Sequence, residues 1–168
     1  YSFKKEYSND ASKMREEAIL HYRKSLNIYP DFFNVWFNLG KAYLTLNDLD
    51  NAYNCFLKVH EMDSTLSEAT LNVALMVNSK EDIKTAEKYF ERLIKISPYV
   101  LDGYNYLSYI YFNSGKFEES ININKKAIQY NPSWKEPYIN ISQVYLHLKD
   151  TLQAQLYIQK ASQLNGGK

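Results

Sequence analysis

The residue types that most often carry out catalysis or bind metals are few in this sequence and lie far apart. The histidines are His21, His60 and His147, and the one cysteine is Cys55. No two histidines have the spacing of the H-E-x-x-H zinc motif, and no cysteine–histidine cluster has the spacing of metal ligands. A single cysteine cannot form an internal disulfide. We therefore assign no catalytic residue and no metal ligand, and we expect no cofactor.

Three further features that could indicate chemistry do not do so here. The glycines form no phosphate-binding loop, since they stand at positions 40, 103, 115, 166 and 167. Cys55 lies in a segment with the apolar periodicity of a packed helix, so we interpret it as an inert core thiol. Asn140-Ile141-Ser142 matches a glycosylation sequon, but it lies inside a predicted helix and we discount it. The sequence predicts a protein that is not an enzyme in its own right.

The charge balance argues against a nucleic-acid partner. Twenty basic and nineteen acidic residues leave a formal net charge of +1, without the basic excess that binds phosphates. No apolar run approaches the roughly 20 residues that span a bilayer, and no signal peptide opens the chain, so we expect no direct membrane insertion. Because the chain begins Tyr1-Ser2-Phe3, without methionine, we expect a piece of a longer protein. The compartment stays open: a soluble domain, cytoplasmic or periplasmic.

The sequence contains an internal repeat with a period of 34 residues, and this repeat predicts the secondary structure. At this offset small residues align with small ones, and large apolar residues align with large ones. We call a set of positions that align at this offset a column. One column of small residues holds Gly40, Ala74, Ser108 and Ser142, and a second holds Ala18, Ala52, Ala86, Ser120 and Ala154. A column of mostly large residues holds Tyr22, Phe56, Phe90, Asn124 and Ile158. Within each unit, apolar residues recur three or four positions apart, as on one face of a helix. The pattern predicts paired helices that pack small side chains against large ones.

One unit carries a recognisable motif. It reads W-F-N-L-G-K-A-Y from Trp36 to Tyr43, followed by A-x-x-x-F from Ala52 to Phe56. This pattern resembles the signature of the tetratricopeptide repeat (TPR) family. The resemblance extends over a single array at 1–168, with a partial unit at 1–32 and full units at 33–66, 67–100, 101–134 and 135–168. It implies an all-α fold, a right-handed superhelical solenoid of antiparallel helix-turn-helix hairpins.

The periodicity and the turn residues predict where the helices lie. We expect part of one helix in residues 1–8 and then helices at 13–28, 32–45, 49–61, 67–78, 82–95, 101–113, 117–129, 135–147 and 151–164. Three aspartates are predicted N-caps of second helices: Asp48, Asp82 and Asp150. Two capping boxes are predicted at the starts of first helices: Thr65 with Glu68, and Ser133 with Glu136.

Some positions depart from the repeat. Asn124 occupies a slot that is large and apolar in the other units, and we interpret it as a local adjustment or a hydrogen-bonded core residue, with a functional polar site as the alternative. Thr70 stands where an aromatic belongs, so the second full unit should be the least regular. The last helix is rich in glutamine, which predicts a polar outer face that caps the array.

The resemblance also implies a binding surface. In the family, the first helices of successive units line the concave face of the superhelix, where extended peptides commonly bind. The matching residues here are Phe37, Asn38, Lys41, Leu71, Asn72, Leu75, Asn105, Tyr109, Phe112, Ile139, Asn140 and Gln143. Asparagines at 38, 72 and 140 share one repeat position, which is similar to the asparagine ladder of some peptide-binding members, because an amide can pair with both groups of a backbone. The alternative, that these asparagines serve packing or bond within their helices, stays open.

These observations predict a protein–protein interaction scaffold whose groove binds an extended, partly apolar peptide segment. One alternative is a C-terminal appendage that orients or regulates a larger enzyme or membrane protein. Another is a structural module that self-associates through its end faces. Capture of acidic tails, as by the carboxylate-clamp subfamily, is not supported, because only Asn72 fits among the corresponding residues Phe37, Lys41, Asn72, Asp102 and Tyr106.

Overall fold

The chain folds into helices joined by short turns. The computed structural model describes the backbone of residues 2–80 and 82–164, and the side chains of residues 13–80 and 82–164. Within these ranges there is no strand, and the helices are α1 Ser2–Ile28, α2 Phe33–Thr45, α3 Leu49–Met62, α4 Ser67–Ser79, α5 Ile83–Ile96, α6 Leu101–Asn113, α7 Phe117–Tyr130, α8 Glu136–His147 and α9 Thr151–Gln163. The predicted all-α class is therefore confirmed.

The predicted helix boundaries are accurate except at the first helix. Every helix from α2 onward begins and ends within one residue of its predicted bounds. The prediction of a break between residues 8 and 13 was wrong, because α1 is continuous from Ser2 to Ile28. No glycine or proline precedes Pro30 in the sequence, so nothing in this segment forces a helix to stop earlier.

The predicted aspartate caps are all present. Asp48, Asp82 and Asp150 are the N-caps of α3, α5 and α9. Each carboxylate accepts the backbone amide three residues later, at 3.2, 3.2 and 3.0 Å respectively. These bonds satisfy amides that have no partner inside the helix, and the negative charge is favourable beside the helix N-terminus.

The two predicted capping boxes are wrong. The Asp63 carboxylate accepts the amide and the hydroxyl of Thr65 at 2.9 and 2.6 Å, and α4 begins without a side-chain cap. At α8 the Asn131 side chain accepts the amide of Ser133 at 3.0 Å, and again no side chain caps the helix. In both turns an earlier Asp or Asn bonds the residue two positions on, which removes the hydroxyl residue from the capping position.

The chain divides into two compact units, Tyr1–Glu81 and Asp82–Lys168. In the first unit α1 packs on α2, α2 on α3 and α3 on α4. Gly40 allows α2 and α3 to approach closely, because a Cβ atom there would lie 3.0 Å from the Phe56 ring and 3.1 Å from the Cys55 Cβ. The small-against-large packing expected from the columns therefore holds in this unit. The prediction of one continuous array over 1–168 stays a prediction.

In the second unit each helix from α5 to α9 packs on the next, and α6 also contacts α8. Its core includes Phe90, Leu93, Leu107, Ile141 and Val144, all 1% exposed or less. The outer side of α9 differs from the prediction, because it is not uniformly polar: Leu152, Leu156 and Ile158 are 74%, 41% and 47% exposed. Among the described helices of both units, none is long and apolar enough to cross a membrane.

Candidate functional site

In the part of the chain that the structure describes, Cys55 is buried and two of the histidines contact hydroxyl or aromatic side chains. Cys55 is buried, and that burial raises its pKa to about 11, so the thiol is protonated at neutral pH. His60 Nδ1 lies 3.0 Å from the hydroxyl of buried Thr70, and the His147 ring contacts Phe112 and Phe117. Within the described part of the chain, no group of three His, Cys, Asp or Glu side chains could hold a metal ion.

In the first unit, the predicted surface residues of α2 lie beside an aromatic pair. The Phe37 ring is half-buried and meets Phe56 edge to face, with centroids 5.5 Å apart. The Lys41 ammonium lies 5.5 Å from the centre of the Phe37 ring, a cation–π contact that keeps it close to the helix. Asn38 is exposed. This helix therefore offers an apolar ring, a cation and an open amide.

The predicted residues of α4 are less available. Leu71 and Leu75 are half-buried. Asn72 donates from Nδ2 to the main-chain carbonyl of Glu68, one turn earlier, at 2.7 Å. For Asn72 the alternative of bonding within its own helix is therefore the observed one, although its Oδ1 atom has no part in that bond.

In the second unit, five of the predicted residues come together around one cavity of about 100 Å³ between α6, α7 and α8. Asn105, Tyr109, Phe112, Asn140 and Gln143 line it. Tyr109 is 63% exposed, so its ring stands at the rim. Ile139 is half-buried and is not part of this lining.

A buried polar network lies beside this cavity. Asn124 is 0% exposed and donates from Nδ2 to Ser108 Oγ at 2.5 Å and to the Ser120 carbonyl at 2.8 Å. The Ser108 and Ser120 hydroxyls are 3.0 Å apart. Asn140 Nδ2 donates to Asn124 Oδ1 at 3.2 Å and to Asn105 Oδ1 at 3.1 Å. Asn124 is thus a hydrogen-bonded core residue, which is one of the interpretations that the sequence supported.

Three residues that were not predicted from the sequence also line the cavity: Ser108, Ser120 and Val144. A signal for the two serines was available. Ser120 falls in a column that holds Ala in every other unit, and Asn124 falls in a column that is large and apolar elsewhere. Ser108 falls in a column shared by Gly40, Ala74 and Ser142, so one unit has polar side chains at all three positions. Polar side chains that replace core residues together are expected to satisfy one another.

These helical hairpins bury small residues against large ones and leave first-helix side chains open for contact, which defines a helical-repeat scaffold that binds proteins. The chain belongs to the tetratricopeptide repeat family. One sequence model of the TPR repeat matches residues 16–47, and a second model of the tetratricopeptide repeat matches residues 33–65, 101–133 and 136–167.

Two curated relatives are longer than this chain. The chain is 25% identical to human protein O-mannosyl-transferase TMTC3, covering 89% of this chain and 17% of that protein. It is 24% identical to the BBSome complex member BBS4 homolog of Drosophila melanogaster, covering 82% of this chain and 31% of that protein. The chain therefore spans less than a third of the length of these curated relatives.

Two similar solved structures share the fold. MamA superposes with a TM-score of 0.79 at 22% identity, covering 95% of this chain and 93% of that one. YrrB, described as a TPR protein with an unusual peptide-binding site, superposes with a TM-score of 0.73 at 15% identity, covering 92% of this chain and 80% of that one.

Proposed function

We propose that this chain binds an extended, partly apolar peptide segment of a protein partner through the first helices of its repeats. One observation carries the proposal: residues chosen by repeat position alone, Asn105, Tyr109, Phe112, Asn140 and Gln143, line one cavity in the second unit. If these five residues served only to pack the helices together, no open cavity between them would be required.

The chemistry of these residues suits a peptide. The rings of Tyr109 and Phe112 can pack against apolar side chains, and aromatic residues dominate the energy of many protein interfaces. The amides of Asn105 and Asn140 have donors and acceptors that can pair with a peptide backbone. In the first unit, Phe37 with Asn38 offers the same combination of ring and amide on α2.

The test is a selection followed by titration. A phage-displayed library of random peptides is selected on the intact chain, and the best peptide is titrated by calorimetry. Asn105→Ala should weaken binding roughly two- to tenfold, because a neutral hydrogen bond contributes about 0.5–1.5 kcal/mol net. Tyr109→Ala should weaken it at least as much. In the first unit, Asn38→Ala should cost more than Asn72→Ala, whose amide is already bonded to its own helix.

The matched control is Asn122→Ala, the same change at an exposed asparagine of α7 that does not line this cavity. Circular dichroism must show that each variant keeps its helices. If Asn122→Ala weakens binding while Asn105→Ala and Tyr109→Ala bind normally, the first helices are not the recognition surface.

We propose that the chain is a helical-repeat part of a larger protein and contributes binding and not catalysis, because it covers 17% of TMTC3 and 31% of the BBS4 homolog. The name of TMTC3 describes a protein O-mannosyl-transferase, so the decisive assay is transfer of mannose to a peptide by the purified chain. Transfer above the buffer blank would contradict a binding role alone. Light scattering would separately detect self-association.

A further inference from the structure

The amide groups beside the cavity of the second unit have one allowed orientation. A main-chain carbonyl can only accept, so the group of Asn124 that faces the Ser120 carbonyl at 2.8 Å must be its Nδ2. Asn124 Oδ1 then faces Asn140, which must present Nδ2 at 3.2 Å. The second hydrogen of that Nδ2 points to Asn105, which must present Oδ1 at 3.1 Å. One backbone carbonyl thus fixes three amides in series.

The serine end of the network is directed in the same way. The Ser120 hydroxyl donates its one hydrogen to the Ser108 carbonyl at 3.0 Å. The contact between the two hydroxyls, also 3.0 Å, must therefore be donated by Ser108, whose Oγ accepts from Asn124. Ser108, Ser120 and Asn124 are at most 4% exposed. Turning over one amide would place donor against donor or acceptor against acceptor in this network, which is costly.

Two polar atoms remain open once these bonds are assigned. Asn140 uses both Nδ2 hydrogens and keeps Oδ1 as an acceptor, and Asn105 uses Oδ1 and keeps Nδ2 as a donor. Over the residues that the structure describes, no buried polar side-chain atom lacks a partner, so both open atoms reach solvent. One donor and one acceptor, on two residues that are hydrogen-bonded to each other, are complementary to an amide, which has a carbonyl oxygen and an N–H.

The cavity also disfavours charge. None of its eight lining residues is an aspartate, glutamate, lysine, arginine or histidine. A carboxylate or an ammonium group that entered would lose hydration without gaining an opposite charge. A neutral amide would lose less and could use both open atoms.

We propose that Asn124 is a positioning residue: it locks Asn140 and Asn105 so that the cavity of the second unit presents one donor and one acceptor to a neutral amide of a bound peptide. The amide belongs either to the peptide main chain or to an Asn or Gln side chain. The inference rests on the proposed peptide-binding function and names the group that this cavity recognises.

The orientation is tested first without any ligand. In the ¹⁵N-labelled full chain, the side-chain amide protons of Asn124 and Asn140 should exchange with solvent at least about tenfold more slowly than those of exposed Asn38. The reason is that both Nδ2 hydrogens of Asn124 and of Asn140 are hydrogen-bonded within the protein. Equal rates would overturn the proposal whether or not the chain binds peptides. This measurement needs no variant, so it holds even if a substitution fails to fold.

The recognised group is tested with small probes. Propionamide represents an Asn or Gln side chain, N-methylacetamide represents the main chain, and propionate and propylammonium are charged controls of similar size. At least one of the two amides should shift the Asn105 Nδ2 and Val144 methyl resonances, and the charged probes should not at the same concentration. The amide that acts tells which source is recognised. No response to either amide, or an equal response to the charged probes, would overturn the proposal.

The role of Asn124 is tested with Asn124→Leu, an aliphatic residue of the kind that Ile158 supplies in the same column. Exchange at the Asn140 amide should rise at least about tenfold, and affinity for the active amide should fall roughly two- to tenfold. Asn122→Leu is the matched control, since it makes the same change at an exposed site of α7. If Asn124→Leu retains slow exchange and full affinity, Asn124 does not position the site. Unchanged binding of the phage-selected peptide by the Asn38→Ala and Tyr109→Ala variants would instead count against the wider groove.

Discussion

Cys55 shows how burial decides what a single residue can do. It is 3% exposed and faces Gly40 across the contact between α2 and α3. Removal of a thiolate from water is unfavourable, so burial raises the pKa of the thiol from 9.0 to about 11. The unfolded chain therefore loses this proton first as the pH rises, and the contribution of Cys55 to stability should fall between pH 9.0 and about pH 11.

We expect Cys55 to react slowly with iodoacetamide in the folded chain. At pH 8 a thiol with a pKa of about 11 has roughly a hundredfold less thiolate than one with the ordinary value of 9.0, and the thiolate is the nucleophile. The measurement is the alkylation rate by mass spectrometry, with and without urea. Cys55 is the one cysteine of the chain, so the signal has one source. Equal rates in the folded and unfolded chain would show that the thiol is accessible.

The asparagines explain why repeat position could locate the candidate site but could not assign each role. Asn38, Asn72 and Asn140 share one column. In the structure Asn38 is exposed, Asn72 bonds its own helix and Asn140 joins a buried network. The difference comes from neighbours outside the column, above all Asn124, which no other unit has in that slot. A column predicts where a Cα lies, whereas the partners of a polar group depend on several elements together.

At the scale of elements, close helix contacts depend on the columns of small residues. Ala52, Ala86 and Ala154 are at most 1% exposed. Gly103 shows how little room such contacts leave, because a Cβ atom there would lie 2.7 Å from Ile94 Cγ2. Packed interiors leave few voids, so a larger side chain in these columns must displace its neighbours.

Ala86→Trp should lower the free energy of unfolding by about 1–3 kcal/mol, because it overfills a fully buried position of α5. Urea unfolding followed by circular dichroism gives the midpoint and the slope. Lys88→Trp is the control, since it adds the same ring at an exposed position of the same helix. If both variants unfold at one urea concentration, the column of small residues is not a packing constraint.

The helices were predictable because helix boundaries depend mainly on residues that are close in sequence. The wrongly predicted caps show where residue types close in sequence are not sufficient. Asp48, Asp82 and Asp150 cap as predicted, since a carboxylate at the N-cap bonds an amide of its own first turn. Thr65 was assigned a cap, but Asp63 two residues earlier takes its amide and hydroxyl. Two local motifs competed there, and the sequence contains both. The outcome depends on the geometry of the turn, which residue types alone do not define.

At the scale of the whole molecule, the near balance of charge limits what kind of partner the chain can recognise. The net charge is +1, and no aspartate, glutamate, lysine, arginine or histidine lines the cavity of the second unit. Lys41, the one charged residue of the predicted surface, lies against the Phe37 ring. Long-range attraction of a charged ligand is therefore weak, and recognition should depend on contact area and on neutral hydrogen bonds.

The affinity for a selected peptide should consequently respond little to salt. Raising NaCl from about 0.1 M to about 1 M shortens the Debye length from about 10 Å to about 3 Å, which weakens exposed charge pairs but leaves neutral hydrogen bonds and apolar contacts in place. We expect the Kd to change by less than about threefold in calorimetric titrations across this range. Lys41→Gln is the internal control: it removes the one cation of the surface and should leave both the Kd and its small salt dependence nearly unchanged. A Kd that rises tenfold or more with salt, and that loses this dependence in Lys41→Gln, would show that the chain recognises an acidic segment through Lys41 and not a neutral peptide through its amides.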